Sequence, residues 1–167
     1  LPMTALADPV PTEGLPDSNV PVKLTVHKFS ASAESNTEGK GTVIDTSNLG
    51  TPLKDAGFTL YKVKDSGVTK IQADIKVPAT QQQMNSEAYA QSLIDGGHTE
   101  EVTGGEKMTD ASGEAKWEGW TIGYYILKET TTPSGHTGAV TNIITLPFGY
   151  KDGGTNAWNY DVHVYPK

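Results

Sequence analysis

Trp158-Asn159-Tyr160-Asp161-Val162-His163-Val164-Tyr165-Pro166-Lys167 is the stretch from which the fold is read. Its side chains alternate in character. Trp158, Tyr160, Val162 and Val164 share one parity, and Asn159, Asp161, His163, Tyr165 and Lys167 share the other. A period of two is the mark of a half-buried strand, because successive side chains point to opposite faces. A strand is therefore expected over 157–165. Pro166 fixes its own φ and lacks an N–H, so the strand should stop there and leave Lys167 at the border of a sheet.

The same alternation recurs upstream. Val22-Lys23-Leu24-Thr25-Val26-His27-Lys28-Phe29 reads as a strand, as do Gly57-Phe58-Thr59-Leu60-Tyr61-Lys62-Val63 and the segments 69–77, 121–129 and 139–146. Asp110-Ala111-Ser112-Gly113 is a turn leading into the strand-like run Glu114–Gly119. Residues 30–52 read as a long loop and 96–113 as turn-rich. One helical signal stands out: Thr80 as cap, a helix over 81–94 and a stop at Gly96-Gly97, with Tyr89 and Leu93, and Ala90 and Ile94, spaced i, i+4. Short strands between Gly, Pro and Asn turns predict an all-β sandwich with one helical insertion.

Parity also places two charges. Val22, Leu24, Val26 and Lys28 share a face, and so do Gly123, Tyr125, Leu127 and Glu129. A charge at the end of an apolar face is costly unless it is paired, neutral or covalently used. The alternative is a side chain that snorkels out of the core edge. Asn142 has inward parity together with Val140, Ile144 and Leu146, whereas Asn159 has outward parity.

Composition narrows the function. The 167 residues include 13 Lys, no Arg and 20 acidic residues, for a net charge of −7. Without the Arg fork that grips phosphate and guanine, nucleic acid is not an expected partner, nor is an anionic membrane. The absence of Cys excludes disulfides, Cys-ligated zinc and thiol catalysis within the chain. No apolar run approaches the roughly 18 residues of a membrane span. There is no G-x-S-x-G, H-E-x-x-H, P-loop or Rossmann fingerprint. His27, His98, His136 and His163 lack metal-ligand spacing, and Asp152-Gly153-Gly154 lacks the alternating carboxylates of a calcium loop. No cofactor or metal is expected, and Trp117 and Trp120 read as core residues before they read as a sugar or peptide groove. Residues 1–7 contain Ala5-Leu6-Ala7, the A-x-A pattern of a signal-peptidase site, and are expected to be a signal remnant or tail. Leu1-Pro2-Met3-Thr4-Ala5 looks like a sortase sorting motif, which belongs at the opposite terminus. Residues 8–20, with three Pro, read as an extended leader, and 21–167 as the folded domain.

Residues 158–167 resemble the pilin motif of sortase-assembled pili in Gram-positive bacteria, a Trp-led strand ending in V-x-V-Y-P-K. Trp158, Val162, Val164, Tyr165, Pro166 and Lys167 carry that match. Tyr125, Leu127, Glu129, Thr130, Pro133 and Gly135 are similar to the pilin E-box, with His136 where the box usually has Tyr. Thr109–Gly119 and the strands around Val26-His27-Lys28-Phe29 and Ala56–Lys62 resemble strands of Cna-B-type domains. The matches run in order from about residue 22 to residue 167 and are similar to the N-terminal domain of a major (backbone) pilin of the actinobacterial fimbrial type.

The resemblance implies an Ig-like, Cna-B-type β-sandwich that is a structural subunit of a secreted, cell-wall-anchored pilus. It implies a substrate of a pilus-specific class C sortase, not an enzyme. Lys167 would be the acceptor nucleophile for an intermolecular isopeptide bond to the LPxTG Thr of a neighbouring pilin subunit. Asp161 and His163, of the same parity as Lys167, would lie on the sortase-docking face; a merely solvated face is the alternative. Host ligands would be met through the assembled pilus. Cna-B-type domains often join a strand Lys to an Asn with help from a buried carboxyl, and Lys28 and Glu129 match that Lys and that acid. No partner Asn is evident, so Lys28 and Glu129 are expected to form an ion pair. The runner-up function is an adhesive or stalk module that binds host protein or glycan.

Overall fold

A computed structural model describes residues 16–31 and 41–166. The expectations for residues 1–15, for most of the loop after Ala31 and for Lys167 lie outside the described residues. The fold is an Ig-like β-sandwich. One layer is β1 (Val22–His27), β5 (Glu114–Trp120) and β10 (Asp161–Val164), in the order β10-β1-β5. The other is β2 (Gly57–Val63), β3 (Thr99–Glu101), β6 (Gly123–Thr131) and β7 (Asn142–Leu146), in the order β3-β2-β6-β7, with the short β4 (Lys107–Met108) also on β2. A separate hairpin joins β8 (Phe148–Asp152) to β9 (Thr155–Asn159).

The alternation in β1 is what closes the sandwich. Val22, Leu24 and Val26 are fully buried and meet Phe58, Leu60, Trp117, Tyr125, Leu127, Ile144, Leu146, Val162 and Val164 in one core. β6 and β7 are covered on both sides. Ile126 and Ile143, of the opposite parity, form a second cluster with Val63, Ile71, Met84, Ala90 and Leu93 beneath the helices. That second cluster explains why the sheet carries an insertion: its outer face is apolar and needs a cover.

The insertion differs from the sequence expectation in detail. The segment 69–77 is not a strand. Its first six residues belong to α1 (Asp65–Asp74), followed by α2 (Pro78–Gln81) and α3 (Glu87–Asp95). Val68, Ile71 and Ile75 fit a helical face as well as residues 71, 73, 75 and 77 fit a strand. The apolar back of β6 and β7 selects the helix, burying Ile71. The helix expected over 81–94 is broken, and Ser86, not Thr80, caps its main part: the Ser86 hydroxyl accepts from the Tyr89 N–H at 3.1 Å. The Thr80 hydroxyl donates instead to the carbonyls of Asp74 and Val77. α3 stops at Gly96, as the sequence predicts.

The strand expected over 157–165 is also two elements. Asn159 Oδ1 accepts from the Asp161 N–H at 2.9 Å, an Asx turn that separates β9 from β10 at Tyr160. Trp158 therefore sits on the hairpin, its indole against Gly149, where an added Cβ would stand 2.8 Å from the ring. The strand predicted over 139–146 begins only at Asn142, and Val140 is 47% exposed rather than inward.

Candidate functional site

β1 is central in its sheet and pairs with β10 in parallel, in the register Lys23↔Asp161, Leu24↔Val162, Thr25↔His163 and Val26↔Val164. β5 lies antiparallel on the other side, with His27 opposite Glu114. The ends of these strands bring two sites together, one on each face.

On the inner face, Lys28 follows β1 with its backbone held at both groups. Its N–H donates to the Gly113 carbonyl at 2.8 Å and its carbonyl accepts from the Leu53 N–H at 2.9 Å. Gly113 has φ +77°, and a Cβ there would come within 2.5 Å of the Lys28 carbonyl oxygen, so the turn into β5 needs glycine. This pinning sends the Lys28 side chain into the sandwich. Its Nζ lies 2.9 Å from Glu129 Oε1, with the two side chains only 4% and 0% exposed. The Lys28 ammonium also donates to the Thr137 carbonyl at 3.3 Å, and Glu129 Oε1 accepts from the Ala139 N–H at 3.1 Å. Glu129 Oε2 is buried without a hydrogen-bond partner among the described residues. Opposite charges at this distance in a dry site attract strongly, and each compensates the other's loss of water.

The other residues matched to the E-box by sequence lie along β6 and in the turn after it. Tyr125 and Leu127 are buried in the main core, and the Tyr125 hydroxyl donates to the Thr121 carbonyl at 2.6 Å. Burial raises the Tyr125 pKa above its ordinary value. Thr130 donates to Glu106 Oε2 at 2.5 Å and lies 3.0 Å from the Thr59 hydroxyl, tying the end of β6 to β2 and to the segment before β4. Pro133 accepts from the His136 N–H at 3.1 Å, and Gly135, with φ +81°, turns the chain back. Thr137 and Ala139, the two backbone contacts of the ion pair, lie just beyond that turn. Asn142 is half-buried, and its side chain donates to the Val140 carbonyl at 3.0 Å.

The strand matched to the pilin motif by sequence presents residues to both faces. Val162 and Val164 point into the core. His163 and Asp161 point outward, as their parity predicts, with the His163 Nε2 3.5 Å from Asp161 Oδ1. Asp161 is exposed. His163 is not open to solvent over most of its surface and lies against His27. The His163 N–H donates to the Gly41 carbonyl at 2.6 Å, and Asn159 Nδ2 donates to the same oxygen at 3.0 Å.

Tyr165 departs furthest from a solvated outer face, being 2% exposed. Its ring stacks on His27 at 4.5 Å and 10°, faces Phe29 at 6.4 Å, and packs with Leu49 and Ile44. The Ile44 N–H donates to the Tyr165 hydroxyl at 3.3 Å. Burial raises the pKa of that phenol. The apolar cover comes from the loop at 44–49, whose sequence has no periodicity to announce it. The loop and His27 are thus the functional neighbours that sequence reasoning missed. The ordered strand and its buried Tyr165 bring the chain to Pro166, the residue before Lys167, and Lys167 itself lies outside the described residues.

Trp117 is buried in the core and Trp120 packs against it, which leaves neither as an open groove wall. Among the described residues no cluster of His, Asp or Glu could hold a metal ion, and no helix is long and apolar enough to cross a membrane.

The family model for the Gram-positive pilin subunit D1, N-terminal domain, matches residues 20–167. Fimbrial subunit type 1 of Actinomyces viscosus is 30% identical over 171 residues, covering 99% of this chain and 30% of the relative. The solved structure of the fimbrial protein FimP from Actinomyces oris is 28% identical with a TM-score of 0.61, covering 90% of this chain and 30% of that one. The full-length major pilin SpaD from Corynebacterium diphtheriae is also 28% identical with a TM-score of 0.61, covering 92% and 33%. The chain therefore spans about a third or less of the length of these relatives. Because that family model matches nearly the whole chain, the chain belongs to the Gram-positive pilin D1 N-terminal domain family.

Proposed function

We propose that this domain is part of a backbone subunit of a covalent surface pilus, and that Lys167 is its acceptor for a pilus-specific class C sortase. The observation that supports the reading is the order of the strand that leads to Lys167: Val162, Val164 and Tyr165 are buried, and Tyr165 is bonded to Ile44. Lys167 follows the end of β10 at Val164 by three residues, so an ordered strand leads the chain toward the proposed acceptor. A Lys amine at its reference pKa of about 10.4 is almost wholly protonated at neutral pH, so it must lose a proton before it attacks. The neutral amine then adds to the Thr carbonyl of the sortase thioester. The C–S bond breaks with its electron pair on sulfur, the nitrogen gives up its second proton, which in the net balance returns to the Cys thiolate, and an amide joins two subunits. The pilin supplies the nucleophile and the sortase the catalysis. Neighbouring pilin subunits are the partners through their LPxTG ends, the setting is the cell-wall-anchored pilus, and host ligands meet the assembled fibre.

Lys28 and Glu129 serve, on this reading, as a structural ion pair in the core. Intact mass checks it: the sequence mass fits an ion pair, and loss of one ammonia reveals a Lys–Asn isopeptide.

The test of the acceptor is coupling. The chain is mixed with a pilus sortase and an LPxTG peptide, and any adduct is located by tandem mass spectrometry. An adduct on Lys167 that is absent in Lys167→Ala supports the reading. No adduct with a sortase proven active on another pilin overturns it.

A further inference from the structure

The outer face of β1 and β10 carries a group of ionisable rings that the acceptor chemistry does not use. His27 Nε2 and His163 Nδ1 are 2.9 Å apart, so one of these nitrogens carries a proton and the other accepts it. The two remaining ring nitrogens face carboxylates. His27 Nδ1 is 4.0 Å from Glu114 Oε1 on β5, and His163 Nε2 is 3.5 Å from Asp161 Oδ1 on β10. Lys116 on β5 and Asp110 in the turn before it are the further charges acting on His27. Tyr165 covers the His27 ring.

Counting protons gives this row a definite behaviour. Two neutral imidazoles hold two protons on four nitrogens. One proton fills the shared bond and the other one outer nitrogen. A single added proton fills the second outer nitrogen, so each end of the row then presents an N–H to a carboxylate and the shared bond survives. The next proton can go only into the shared bond, which would set two N–H groups face to face and two imidazolium rings in contact. The row accepts one added proton and is forced apart by a second. Burial first, and then the neighbouring His163, hold His27 below its ordinary value of 6.5, in the same direction.

We propose that His27 and His163 are positioning residues for the acceptor segment: their shared hydrogen bond fixes the end of β10 and the stacked Tyr165, and double protonation releases them. The lock stands on the ring geometry. Its effect on coupling rests on the reading of Lys167 as acceptor.

The test begins with the 15N-labelled chain titrated from about pH 8 down to about pH 5. Imidazole nitrogens are followed together with amide exchange at Val162–Tyr165, referenced to the amides of β2. The wild type is expected to show two unequal, coupled imidazole steps. Across the lower one, protection at Val162–Tyr165 falls about tenfold or more relative to β2. His163→Gln keeps a hydrogen-bonding side chain but removes one of the two titrations, so the lower step and the loss of protection vanish. His27→Gln gives the same result, and if either variant fails to fold the other decides with the wild-type titration. Two independent histidine titrations with no change in exchange overturn the lock, as does an equal loss of protection in the Gln variants.

A second arm measures coupling of an LPxTG peptide at the same pH values, divided by the rate on another pilin to remove the sortase's own pH dependence. The ratio should fall across the lower step in wild type and stay flat in His163→Gln. Coupled imidazole steps without any Lys167 adduct leave the lock and remove the acceptor. A Lys167 adduct with a pH-independent ratio and no coupled steps removes the lock and leaves the acceptor.

Discussion

His27 and Lys28 are consecutive residues at the end of one strand, and they build opposite kinds of pair. Lys28 turns inward to Glu129 and His27 turns outward to His163, and both pairs meet at 2.9 Å. The inner pair joins two side chains that are almost wholly buried, with a backbone carbonyl against Lys28 and a backbone amide against Glu129. The outer pair joins two rings of one kind at a partly open surface. Equal distance hides unequal physics. In the dry pair, attraction between opposite charges answers desolvation, and neither charge can be withdrawn without stranding the other. In the outer pair, bonding depends on how many protons the rings share.

The difference can be broken most sharply at Glu129. Glu129→Ala leaves the Lys28 ammonium in the core with the Thr137 carbonyl as its one hydrogen-bond acceptor among the described residues, so urea unfolding should show a loss of about 3–5 kcal/mol. An unchanged midpoint would mean that water reaches the pair. Lys28→Met combined with Glu129→Leu removes both charges and should recover most of that loss, because an apolar replacement of a buried pair is often close to neutral. A double variant as unstable as the single one would show that the pair's backbone contacts, not its charges, hold that corner.

On the outer side the effects are smaller. Tyr165→Phe keeps the ring on His27 but loses the bond from the Ile44 N–H, for an expected cost of about 0.5–1.5 kcal/mol in the same assay. The smallest effect has a direction. His27 is held below its ordinary value, so the unfolded chain binds more protons than the folded one as pH falls below 6.5. Its contribution to stability is present above that pH and is lost as pH falls toward the lowered, folded value. Unfolding midpoints should decline over that window in wild type and decline less in His27→Gln. Identical slopes would detach His27 from the acid response.

These two pairs were not equally legible in the sequence. Strand parity alone puts Lys28 among Val22, Leu24 and Val26, and Glu129 among Tyr125 and Leu127, because the period of two is a local property. Parity also turns His163 outward. It does not say that His27 will be its neighbour, since that depends on the parallel register of strands 136 residues apart. Nor does it bury Tyr165, whose cover comes from Ile44 and Leu49 in a loop without a repeating pattern. The helix over Asp65–Asp74 was hidden for a different reason. Its apolar residues satisfy two periods at once, and the second cluster behind β6 and β7 chooses between them. The Asx turn at Asn159 likewise interrupts an alternation that reads as continuous, because a side-chain oxygen replaces a sheet partner for the Asp161 N–H.

The parallel pairing of β1 with β10 has a mechanical consequence. The chain enters β1 at Val22 and leaves β10 at Val164, at opposite ends of the same ladder. Tension applied between those two points runs along the strands, across the direction of their hydrogen bonds. The rungs from Lys23↔Asp161 to Val26↔Val164 are then loaded together in shear and must fail nearly at once, whereas a hairpin pulled from its open end yields one rung at a time. In the proposed fibre, a pull applied through these two points would load this ladder in shear at the strand that leads to Lys167.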